Sequence, residues 1–133
     1  HDTRGGLMSE SPYNLAVRDC FANPLHVGDV VGGVTAYFDD QGMRIRFSAG
    51  IVDRLMVELR FRAWGCPHVI AAAELFCRQF EGRDAQDLEQ FEAGSIMHDL
   101  AVPTEKTGRI LVLEDTVRSL RVAINDRLAI KQD

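Results

Sequence analysis

Cys66 is the residue whose type and surroundings carry the most chemistry in this chain. It stands between a run with strand character and a run with helical character. Pro67 follows it, as suits the first position of a helix. The positive end of a helix dipole at that point favours thiolate, the form that binds soft metals or accepts sulfur. The plainer alternative is a small buried packing residue. Asp39 and Asp40 would supply hard oxygen ligands, or only the polar end of a hairpin. His68 would ligate a metal through a ring nitrogen, or simply stand exposed on the first helical turn. Cys20 and Cys77 lie among apolar residues and are expected in the core. His26 and His98 have no partner visible in the sequence. Phosphate loops, GxGxxG, GxSxG and HExxH are all absent.

The elements that must position these residues follow from periodicity. Ser11-Pro12 reads as a helix start, with Tyr13, Val17 and Phe21 on one face and Asn23-Pro24 as the stop. Val34 to Phe38 is β-branched and aromatic, and Asp39 to Gly42 reads as a turn. Met43, Ile45 and Phe47 alternate with Arg44 and Arg46, and Gly50 marks the next turn. Leu55, Val57, Leu59 and Phe61 then alternate with Met56, Glu58, Arg60 and Arg62, which predicts a strand with the first set inward. After Gly65 the period becomes helical. Val69/Ile70, Ala73, Phe76/Cys77 and Phe80 form one stripe, closed by Gly82. Asp84 predicts a cap for a short helix through Phe91, and Ser95 one for another through Leu100. Beyond Pro103, Ile110, Leu113, Val117, Leu120, Ile124 and Leu128 predict a long amphipathic helix closing near Ala129. Arg109, Arg118, Arg121 and Arg127 on it form a solvated face or a docking site for an acidic partner. The predicted class is α+β: a two-layer sandwich in which a three-stranded antiparallel meander is packed by an N-terminal helix and C-terminal helices.

Composition bounds the partners. The chain has 133 residues, 46% of them hydrophobic, which suits one globular domain with a modest core. Residues 1–7 look like a tag remnant ahead of Met8, leaving 8–133 as a single domain. The net charge of −5 argues against nucleic acid as a partner, and no run approaches the length of a membrane helix. Three cysteines without a CxxC pair suit neither a disulfide framework nor a zinc finger, so a reducing, cytoplasmic setting is expected.

The order of motifs resembles a known family. Tyr13-Asn14, Val17, Asp19, Asn23-Pro24 and Val27-Gly28 are similar to the opening of the IscU/NifU N-terminal family of iron–sulfur scaffolds. Leu59 to Cys66 resembles its third strand, which ends in an aromatic residue, a glycine and a ligand cysteine. Ile70 to Leu75 resembles its small-residue helix, Glu81-Gly82-Arg83 the exit from it, and Leu100 to Pro103, Glu114-Asp115 and Ala123-Ile124 its last third. The resemblance covers about residues 12 to 130. It implies an α+β sandwich and a role as a scaffold or carrier in iron–sulfur cluster assembly rather than as an enzyme. It also implies a cysteine desulfurase as partner.

The family offers three cysteines and an aspartate, often helped by a histidine, and here the set is reduced. Counting back from Cys66, the first ligand cysteine falls at Asp40, and Cys-Gly-Asp becomes Asp40-Gln41-Gly42. The family's His-Cys pair falls at Gly108-Arg109, and its Leu-Pro-Pro-Val-Lys motif becomes Val102-Pro103-Thr104-Glu105-Lys106. The resemblance therefore implies a degenerate scaffold or a sulfur or iron carrier. Cys66 would be the residual ligand, Asp40 an auxiliary one and His68 a further one, with Asp39 and Arg109 lining the site. Its cargo would be an iron–sulfur cluster, a single iron or zinc ion, or none. A cluster normally takes four protein ligands, mostly thiolates, and a symmetric homodimer would bring two Cys66 thiolates together. The competing expectation is a scaffold fold repurposed as a metal-free interaction or regulatory module.

Overall fold

The structure, a computed structural model, describes residues 15–40, 42–104 and 107–132. The predicted helix start at Ser11-Pro12, Tyr13, the tag-like residues 1–7 with Met8, Gln41, and Glu105 and Lys106 lie outside the described residues. So do the side chains of Val17 and Asp40.

Helix α1 (Leu15–Ala22) leads into three strands, β1 (Val34–Asp40), β2 (Met43–Val52) and β3 (Leu55–Trp64). They form one antiparallel meander in the order β1-β2-β3. Helix α2 (Pro67–Phe80), a 3-10 turn (Ala85–Gln90), helix α3 (Ala93–Asp99) and helix α4 (Thr107–Gln132) complete the chain. Helix α4 packs over β1 and β2, α2 over β3, and α1 against α2. Met43, Ile45, Phe47, Leu59 and Phe61 from the sheet meet Val69, Ala73, Phe76, Ile110, Leu113 and Leu120 from the helices in one buried core. Phe76 is its aromatic hub, with ring centroids 4.7 Å from Phe47, 5.2 Å from Phe80 and 5.3 Å from Phe91. The α+β meander is thus the predicted one.

Four local expectations are corrected. Phe21 is 45% exposed, and it is Cys20, at 2%, that turns into the core from α1. Gly50 is not a turn; it lies inside β2, and the β2–β3 turn is made by Asp53 and Arg54, both at positive φ (52° and 75°). The inward face of β3 is Met56, Leu59 and Phe61, while Leu55 and Val57 are exposed. The cause is a bulge: Gly50 pairs with Glu58 and Ile51 with Met56, so Val57 is the extra residue and the alternation changes phase across it. Helix α3 starts at Ala93 rather than after Ser95. Glu114 Oε2, reaching across from α4, accepts the Ala93 N–H at 2.7 Å, a partner a local capping rule cannot see.

Candidate functional site

Three element ends line one cleft with Cys66. The first is the β1–β2 turn, which Gly42 permits by adopting φ 75°. The second is the strand-to-helix junction, where Gly65 takes φ 157° and Cys66 becomes the N-cap residue of α2. The third is the start of α4. Gly42, Met43, Gly65, Cys66 and Arg109 line one cleft of about 290 Å³ there. A larger cleft of about 330 Å³, between Leu88–Glu92 and α4, is lined by Glu89, Glu92, Glu114, Arg118 and Arg121. Arg121 and Glu89 bridge within it at 2.9 Å, and it holds none of the predicted site residues.

Cys66 is half-buried and forms no disulfide. Its side chain caps nothing, and its carbonyl accepts the N–H groups of Val69 at 3.0 Å and Ile70 at 3.3 Å. The backbone closes the first turn, and Cys66 lines the cleft. Arg109 is exposed on the opposite wall. Among the described residues it pairs with no carboxylate. Arg109 is the charged residue among the described residues of the lining. The other two thiols contrast with this. Burial pushes the Cys20 thiol above its usual range, and burial pushes Cys77 far above it, with the Glu74 charge adding to both. Both are buried in the core, as expected from their settings.

The remaining candidates divide. Asp40 ends β1 in register with Met43, a cleft residue, so its backbone adjoins the site. Asp39 is engaged elsewhere: its Oδ2 accepts the Tyr37 hydroxyl at 2.9 Å and meets Arg44 Nε at 3.6 Å on the exposed side of the sheet. His68 is 2% exposed, which corrects the expectation of an exposed first-turn histidine. His98, at the end of α3, is exposed beside Asp99. Among the described residues, no three histidine, cysteine, aspartate or glutamate side chains gather as a metal-binding group. Gly42, Met43 and Gly65 were not singled out from the sequence as lining residues. Gly42 was legible only as part of a turn, Gly65 only as the change of period ahead of Cys66, and Met43 only as an inward strand residue. Among the described residues no helix is long and apolar enough to cross a membrane.

Comparison with known proteins gives this geometry a context. The model of the NifU-like N terminal domain matches residues 12–131. The chain is 24% identical, over 115 residues, to the iron-sulfur cluster assembly scaffold protein IscU of Rickettsia prowazekii, covering 80% of this chain and 87% of that one. It superposes on a solved SUF-system iron-sulfur cluster assembly scaffold protein of Fervidobacterium islandicum with a TM-score of 0.55 at 15% identity, covering 80% and 82%. A NifU-like N-terminal structure from Brucella abortus gives 0.52 at 15% identity, with this chain spanning 58% of its own length and 56% of that chain. At such identities the superpositions carry the fold alone. The family model carries more, since it runs through nearly every element described above and through Cys66, and by that match the chain belongs to the NifU-like N-terminal domain family of iron–sulfur cluster assembly scaffolds.

Proposed function

We propose that this chain serves iron–sulfur cluster assembly as a single-thiol carrier, with Cys66 as the residue that takes the cargo and a cysteine desulfurase as the donor. The observation that carries this reading is the cleft that Cys66 and Arg109 share. One thiol beside one guanidinium suits an anionic sulfur species better than a cationic iron centre, because the guanidinium repels a metal ion and offsets a thiolate or persulfide. In the transfer step the Cys66 thiolate attacks the outer sulfur of a persulfide on the donor. A new S–S bond forms at Cys66, the donor's S–S bond breaks, and its electron pair remains on the donor as thiolate. No net oxidation occurs and no other reactant is needed. Asp40 and His68 are the auxiliary ligands in the variant of this reading in which iron follows sulfur.

The test is incubation with a cysteine desulfurase and free cysteine, read by intact-mass spectrometry. The wild type is expected to gain one sulfur atom, removable by a thiol reductant, and Cys66→Ser to gain none. Equal gain in both proteins, or in neither, overturns the assignment of Cys66. A second reading, a metal-free interaction module, rests on Asp40 and Arg109 standing where the family resemblance places ligand cysteines. It predicts neither stoichiometric iron nor labile sulfide after anaerobic reconstitution, together with no persulfide.

A further inference from the structure

A second polar cluster lies further along α2, about 12 Å from Cys66 by the helical rise. Its centre is His26, in the segment 23–28 that straps α1 to the sheet. The ring is buried, and Glu74 is completely so. His26 Nδ1 lies 2.8 Å from Glu74 Oε2, and Nε2 lies 2.9 Å from Glu81 Oε1. The His26 backbone N–H donates to Glu74 Oε1 at 2.9 Å. A neutral imidazole has one donor nitrogen and one acceptor. Two ring nitrogens facing two ionised carboxylates both need a proton.

The surrounding charges ask for the same cation. From α1 comes Asp19, from β3 Glu58 and Arg60, from α2 Glu74 and Arg78, and from the C-cap of α2 Glu81. Arg78 donates to Glu74 at 2.8 Å and to Asp19 at 2.9 Å; Arg60 donates to Glu81 at 3.2 Å and meets Glu58 at 3.0 Å. Four carboxylates thus face two guanidiniums, and a charged imidazole reduces the deficit. Cys20 and Cys77 add no charge, since burial keeps both thiols protonated. Burial alone would raise the Glu81 carboxyl, but the Leu59 N–H, His26 and Arg60 together hold it below its usual range, so it is ionised.

The strap has a few further ties, and just past it Asp29 bridges Arg62 at 2.6 Å and Arg46 at 2.9 Å. Phe61 N–H donates to the His26 carbonyl and Gly28 N–H to the Phe61 carbonyl, both at 2.8 Å, and Arg78 reaches the Asn23 carbonyl at 3.1 Å. We propose that His26 is a proton-operated latch: the imidazolium seated between Glu74 and Glu81 docks the 23–28 strap on β3 and α2, and loss of its proton releases the strap. Release follows because an unprotonated nitrogen turns a lone pair toward a carboxylate oxygen in a buried site, where the repulsion is poorly screened.

Hydrogen exchange with ring ¹⁵N spectra tests this on the intact chain. After correction for intrinsic base catalysis, the Gly28 and Phe61 amides are expected to lose about tenfold in protection over the pH range in which the ring spectra show the proton leaving, the scale of one charged hydrogen bond lost. Buried α4 amides serve as the control and should not respond. The ring spectra should show both nitrogens protonated while the strap is protected. In Glu81→Gln the amide group donates to an unprotonated nitrogen, so the response should shrink. His26→Gln should show low protection at both ends of the range. A neutral ring with the strap still protected, a flat response in the wild type, or an undiminished response in Glu81→Gln overturns the latch, whether or not His26→Gln folds.

Discussion

The two ends of α2 are built on opposite plans. At its N-terminus Cys66 faces an open cleft whose lining supplies two glycines, a methionine and one arginine. Two turns further on, Glu74 is fully buried and every polar contact is filled: the His26 ring, the His26 N–H and Arg78. One helix thus separates a sparse, accessible end suited to exchanging cargo from a saturated end that anchors the N-terminal arm. The largest predicted effect tests that contrast. Glu74→Ala leaves the buried His26 and the half-exposed Arg78 without their shared acceptor and is expected to cost about 3–5 kcal/mol in chemical denaturation. A loss below about 0.5 kcal/mol, the range of ordinary surface changes, would mean that this end anchors nothing.

At the opposite end, backbone geometry rather than charge sets the cost. A Cβ at Gly65 would lie 3.2 Å from Met43 Cγ and 3.5 Å from Val69 Cβ, on a residue at φ 157°. Gly65→Ala is therefore expected to cost about 1–3 kcal/mol and to narrow the cleft. Denaturation measures the first effect, and the alkylation rate of Cys66 the second. Normal alkylation in a destabilised protein would separate the shape of the cleft from access to its thiol.

Acid should weaken the saturated end first. The Glu81 carboxyl is held below its usual range once its hydrogen bonds outweigh burial. A group with a lowered folded pKa contributes stability above its unfolded value, about 4.3 for glutamate, and loses it as pH falls through the folded value. Asp19, held low by Arg78, and Asp29, held low by Arg62, follow the same sign from exposed positions. Glu81→Gln is expected to flatten the acid limb of stability against pH, measured by denaturation from about pH 5 downward. An unchanged limb would assign it to the aspartates.

What was legible in the sequence follows the range of the forces involved. The α2 stripe and the α4 repeat were readable because helical burial is a local rhythm: Val69, Ala73, Phe76, Cys77 and Phe80, then Ile110, Leu113, Val117, Leu120 and Ile124, are all buried. The phase of β3 was not, because a one-residue bulge at Val57 is settled by β2, not by β3's own residues. Cys66 stood out through its strand–Gly–Cys–Pro setting and the family resemblance. The His26 cluster stayed hidden because its partners lie 48 and 55 residues away, beyond any local pattern. A glutamate amid the small apolar residues of α2 was the one available signal, since a charge on a buried stripe requires a partner.

The smallest effect on stability should accompany the sharpest effect on chemistry. Cys66→Ser removes a half-buried thiol from a cleft wall, and Arg109→Ala an exposed guanidinium with no carboxylate partner among the described residues. Each is expected within about 0.5–1 kcal/mol of the wild type, far from Glu74→Ala. Arg109 should matter instead through the charge it presents to Cys66. A like-sized interaction in a water-exposed site is worth on the order of 1 kcal/mol, about fivefold in thiolate population. Arg109→Ala should therefore slow Cys66 alkylation about fivefold at neutral pH, and Arg109→Lys should retain most of the rate. If Arg109→Ala reacts as fast as the wild type, the two residues share a cleft without sharing chemistry. The N-terminal end of α2 would then be an opening rather than a site.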